Sequence, residues 1–95
     1  MRPTIGHLKE SAMWRITLLD SGNLVDTYTF AGTESVTVGR ADDNQIVLNA
    51  LGVKKHHARV ILGDGWEIMA LEGTVERKGF DDAVIGRFTL RVERR

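Results

Sequence analysis

The sequence predicts an all-β protein: a compact, single-domain antiparallel sandwich of about nine to eleven short strands. Three observations carry that reading. Apolar and polar residues alternate in short runs, as where Trp14, Ile16 and Leu18 interleave with Arg15 and Thr17, which puts the apolar set on one face of a strand. Clusters of Gly, Asp and Asn punctuate these runs about every eight to ten residues. No helical period longer than about one turn interrupts them.

Taken in order, residues 1–11 hold Pro3 and Gly6 among mixed polar residues without a sustained period, and read as a flexible N-terminal leader. The sandwich then spans residues 12–95. After the first strand, Asp20-Ser21-Gly22-Asn23 forms a turn in which Gly and Asn tolerate positive φ, leading into a strand over residues 24–30. There Tyr28 and Phe30 share one side and Thr27 and Thr29 the other. Residues 36–38 make a short third strand. Residues 46–48 return as a strand apolar on both faces, which suggests a buried position. Ala58, Val60 and Leu62 then share a face, with Arg59 pointing away. Gly63-Asp64-Gly65 is a hairpin signal suited to positive φ, after which Trp66, Ile68 and Ala70 point inward. Residues 74–76 form a weak strand and 77–82 a polar turn around Gly79. A closing pair follows, in which Phe88, Leu90 and Val92 face the core.

Composition narrows the function classes. The chain has 95 residues, and its 13 basic and 13 acidic side chains sum to zero formal charge. Nothing in the total therefore points to nucleic acid or an anionic membrane as the partner, and an anion site must be local. The absence of cysteine excludes disulfides, thiolate catalysis and cysteine-ligated zinc. No apolar run approaches the roughly 20 residues of a membrane helix, and residues 1–12 lack the apolar core of a secretory signal. The expected address is cytoplasmic, with no membrane insertion.

The chemistry concentrates in residues 36–60. Gly39-Arg40 closes one strand and Lys54-Lys55-His56-His57 opens another, so a guanidinium and a basic cluster can meet on one rim as a cup for an anion. The planar fork of Arg40 can hold two phosphate oxygens at once. His56 and His57 fall on opposite sides of an extended chain, and no third ligand lies in register, so a metal site is not expected. Neither ring has a nucleophile or carboxylate that would make it a general base. Asp42-Asp43-Asn44 lacks the spacing of a calcium loop and reads as a turn. Arg87, Arg91, Arg94 and Arg95 make a basic strip that Glu93 interrupts, consistent with a solvated strand face. With no Ser-His-Asp order and no phosphate-cradling helix entry, the sequence does not read as an enzyme, and no cofactor is expected.

The order Gly39-Arg40, Asp42-Asp43-Asn44 with Ile46-Val47-Leu48, then His57-Ala58-Arg59, resembles the signature of the forkhead-associated (FHA) domain, a phosphothreonine-peptide reader. The resemblance continues at Gly65-Trp66-Glu67-Ile68, at Gly73-Thr74 and through residues 84–92, so it covers about residues 14–92. It implies an FHA-like sandwich that recognises a phosphothreonine segment of a partner protein in signalling. By that resemblance Arg40, Lys54, Lys55 and Glu72 are the phosphopeptide-binding positions, and Gly39, His57 and Gly73 support the site. Two positions depart from the family. Lys54 stands where the family has a serine that contacts phosphate; it can hold phosphate as a point charge or face solvent. Glu72 stands where the family has an asparagine that grips the peptide backbone, and an ionised glutamate only accepts. These replacements motivate an alternative, an adaptor of the same fold that binds its partner without phosphate, for example in a secretion-type assembly. The segment between Thr74 and Asp82 is also short for the family, which suggests an abbreviated strand pair.

Overall fold

In the computed structural model, which describes residues 13–32 and 34–95, the first alternating run becomes β1 (Met13–Asp20) with Trp14, Ile16 and Leu18 buried and Arg15 exposed. The expected leader, residues 1–11, lies outside the described residues. Eight more strands follow: β2 (Asn23–Ala31), β3 (Ser35–Gly39), β4 (Ile46–Val47), β5 (Ala58–Leu62), β6 (Trp66–Ala70), β7 (Glu76–Lys78), β8 (Asp82–Ile85) and β9 (Phe88–Arg94). They form a five-stranded sheet ordered β2-β1-β9-β8-β7 and a four-stranded sheet ordered β4-β3-β5-β6. The two inner faces meet in one core. Ile16, Leu18, Ile85, Leu90 and Val92 come from the first sheet, and Val36, Val38, Ile46 and Val60 from the second.

Period-two patterning is kept in β3, β5, β8 and β9, each of which alternates buried with more exposed residues. Four local expectations are corrected. Positive φ in the first turn falls on Ser21 (52°) and Gly22 (88°), not on Asn23, because Asp20 already pairs with Asn23 and leaves a two-residue loop. Ser21 is held in this conformation by its N–H, which donates to the Arg87 carbonyl at 2.9 Å. The loop Gly63-Asp64-Gly65 does connect β5 to β6, yet neither glycine adopts positive φ; the third loop residue makes a tight two-residue turn unnecessary. The strand expected at residues 74–76 is β7, displaced to Glu76–Lys78, with the chain reversing at Gly79 (φ +65°). Ala70, expected inside, is exposed, since β6 ends there and leaves the core.

The second sheet also departs from a purely antiparallel plan. β4 runs parallel to β3 and stands at the sheet edge. Ile46 and Leu48 are buried, but Val47 faces out at 36 % exposure, so this strand is not buried on both sides. At the opposite extreme, the long edge strand β2 is blunted by its own neighbours. The Thr27 N–H donates to Asp26 Oδ1 (2.7 Å) and the Ala31 N–H to Glu34 Oε2 (3.1 Å), which removes donors that another chain would pair with.

At one end of the first sheet, Arg87 grips Asp20 through two hydrogen bonds, Nε to Oδ1 and Nη2 to Oδ2, each 2.7 Å. Those bonds hold the Asp20 carboxyl below its ordinary value. A lowered carboxyl value adds stability that is complete above the ordinary 3.8 and is lost as pH falls through the native value. Arg87→Ala should therefore raise the Asp20 titration midpoint toward 3.8, read from the side-chain carboxyl carbon shift; an unmoved midpoint would show that the pair does not act on this group.

Candidate functional site

Three loops converge beyond the ends of β3, β5 and β6, and backbone polarity fastens them together. The Arg40 N–H donates to the Lys54 carbonyl at 2.9 Å and the Ala41 N–H to the Lys55 carbonyl at 3.2 Å. Asn44 Nδ2 donates to the carbonyls of Ala41 (2.8 Å) and Lys55 (2.7 Å), joining the same two loops a second time. Gly39 permits this approach, because a Cβ there would overlap the Lys55 carbonyl and sit 2.9 Å from Asn44 Nδ2. The loop after β3 and the loop before β5 are thus one unit.

His57 ties in the third loop. Its ring is buried, with Nδ1 accepting the Lys54 N–H at 3.0 Å and Nε2 within 2.8 Å of the Thr74 carbonyl. A backbone N–H needs an acceptor and a carbonyl needs a donor, so these partners fix a neutral ring protonated at Nε2. The His57 carbonyl accepts from the Leu71 N–H at 2.9 Å. Gly73 lies so close to the ring that a Cβ would overlap the imidazole atoms, which is the physical reason for glycine there.

On this frame stand the charged groups. Arg40 is exposed and its Nε donates to the Val53 carbonyl at 3.1 Å, which steadies the guanidinium. Neither Nη of Arg40 has a hydrogen-bond partner among the described residues. Lys54 and Lys55 are exposed, and among the described residues none of the three cations is in an ion pair. Two neighbouring carboxylates are engaged elsewhere. Asp43 lies 3.0–3.1 Å from His56 Nε2, and that hydrogen bond holds its carboxyl below the usual range. Glu72 Oε1 accepts the His56 N–H at 3.1 Å.

The structure therefore brings Arg40, Lys54, Lys55, Glu72, Gly39, His57 and Gly73 to one rim. The two histidines separate as the alternation argues, one exposed and one buried. Among the described residues no group of three or more His, Asp or Glu side chains is placed to hold a metal ion. Two contributors escape a reading of the sequence. Asn44 reads there as a turn former within the family pattern and Val53 carries no reading of its own; both are buried.

Against known proteins, the FHA domain family matches residues 36–79, the stretch that builds these loops. Solved structures agree over a wider span. The FHA domain of the CT664 protein from Chlamydia trachomatis is 17% identical with a TM-score of 0.69, covering 84% of this chain and 95% of that one. The fold and the matched stretch are those of an FHA domain. An FHA structure from a study of phosphothreonine-dependent FHA domain interactions gives 21% identity and a TM-score of 0.66 over 85% of this chain and 95% of that one. Mycobacterium tuberculosis EmbR, solved with a low-affinity phosphopeptide, gives 24% and 0.65 over 85% of this chain. The match spans 24% of the EmbR chain. No curated protein matches the sequence significantly.

His57→Phe keeps a ring against Gly73 but strands the Lys54 N–H and the Thr74 carbonyl, at about 1–3 kcal/mol for each group left unpaired. Gly73→Ala should cost about 1–3 kcal/mol by overpacking the same ring. Because phenylalanine still leaves a ring for the Gly73→Ala methyl to meet, the two losses have separate causes, and the double variant should lose at least about their sum, measured by urea unfolding. A loss below about 0.5 kcal/mol for His57→Phe would show that the ring is not structural.

Proposed function

We propose that this domain is a non-catalytic recognition module that binds a phosphothreonine-containing segment of a partner protein, joining the two in signalling. The observation that carries the reading is the rim itself: Arg40, Lys54 and Lys55 stand exposed without ion pairs, while His56 occupies Asp43 and one oxygen of Glu72. In this reading Arg40 holds two phosphate oxygens with its Nη atoms, and its Nε contact to Val53 keeps the fork aimed. Lys54 supplies a point charge where a hydroxyl would give a directed bond. Lys55 and Glu72 flank the peptide, and Gly39, His57 and Gly73 hold the loops. Phosphopeptide recognition by the similar EmbR and FHA structures supports the same ligand class.

A second reading, partner binding without phosphate in an assembly role, draws on Lys54 and on Glu72. Glu72 offers no donor to a peptide and already spends one oxygen on His56.

Backbone amide titration with matched phosphorylated and unphosphorylated threonine peptides separates the two. Phosphate-dependent shifts centred on Arg40 and Lys54 are expected, with Arg40→Ala weakening binding by roughly 10-fold to 150-fold, as loss of about 1.5–3 kcal/mol of charge-assisted bonding requires. Equal shifts with both peptides would favour the adaptor.

A further inference from the structure

We propose that the outer face of the four-stranded sheet is a self-association surface, on which two copies of this domain pack face to face with Arg59 of each against Glu67 of the other. This inference rests on the fold and not on the phosphopeptide reading.

Among the described residues, eight large apolar side chains are exposed, and four of them gather on this face. Ile61 and Met69 point away from the core set of Ala58, Val60 and Leu62; Val47 does so at the β4 edge, and Leu71 continues the β6 alternation. The register sets Ile61 and Met69 at diagonal positions on adjacent strands with Leu71 two residues past Met69, while Val47 lies across β3 from them. Thr37, Arg59 and Met69 form one cross-strand row, and Ile61 stands opposite Glu67 in the next. The other four are elsewhere: Leu24 and Val25 at the start of β2, Leu51 in the loop before β5, and Phe80 in the β7–β8 turn. Scattered apolar residues need no partner, whereas a contiguous group on a sheet face marks a contact surface.

Charge selects the occupant. The patch carries one cation, Arg59, and one anion, Glu67, as diagonal neighbours on adjacent strands, and neither is in an ion pair among the described residues. A two-fold axis through such a face sets each Arg59 against a Glu67 of the second copy, twice per dimer, while the apolar groups meet between them. The chain's zero formal charge adds no long-range repulsion between copies. Pairing through the β2 edge is obstructed, because Asp26 and Glu34 already hold its Thr27 and Ala31 donors. Three five-residue strands and the two-residue β4, about 4.8 Å apart, give a footprint of roughly 270 Å², below the ~800 Å² per partner of a standard interface, so the association is weak and concentration-dependent.

Sedimentation velocity of the whole chain from about 10 µM to about 1 mM tests this, with thermal melts confirming that every variant is folded. The expected result is a monomer–dimer equilibrium that Met69→Glu abolishes. Arg59→Glu and Glu67→Arg should each weaken it at least about tenfold, and the double variant, which restores opposite charges across the axis, should recover it. A monomer at every concentration overturns the proposal. So does a dimer that survives Met69→Glu, or a double variant no stronger than either single one.

Discussion

A single uncharged ring holds the candidate site in shape. His57 takes the Lys54 N–H on one nitrogen and satisfies the Thr74 carbonyl with the other, so two loops distant in sequence share one rigid partner. The ring is buried against a glycine that leaves no room for a side chain. Its neutrality suits its position. A proton on Nδ1 would face the Lys54 N–H and place a further positive charge beneath a rim that already presents Arg40, Lys54 and Lys55. Buried polar links of this kind are stabilising only when every member is satisfied, and both ring nitrogens are.

Above that frame, function depends on where charge is placed, since the total is zero. His56, the neighbour of His57, faces outward and engages Asp43 through its ring and Glu72 through its backbone N–H. Two adjacent histidines thus divide the work: one fixes the loops and the other occupies nearby carboxylates. The Glu72 contact gives that residue a structural use within the chain, bracing the segment that carries Lys54 and Lys55. The strands supply stiffness, with a core sealed on both sheets, and the loops carry the variable chemistry.

Much of the architecture was legible because the alternation of Trp14, Ile16 and Leu18, or of Ala58, Val60 and Leu62, is a local property of the chain. What was not legible depends on neighbours distant in sequence. Residues 46–48 look doubly apolar, but only assembly places β4 at an edge, where Val47 meets solvent. Ser21 accepts positive φ because the register leaves a two-residue loop and the Arg87 carbonyl receives its N–H. At the site, Arg40, Lys54, Lys55 and His57 stand out by residue type and by family pattern. The cross-links of Asn44 to the Lys55 carbonyl and of Arg40 to the Val53 carbonyl do not, because a backbone carbonyl carries no mark in sequence of the side chain that will find it.

The most direct measurement is the protonation pattern of the His57 ring, read from long-range proton–nitrogen correlations in the folded domain at neutral pH. A neutral ring with its proton on Nε2 and a bare Nδ1 is the predicted result. A proton on Nδ1, or an averaged signal from a ring exchanging freely between forms, would contradict the frame on which the site is built.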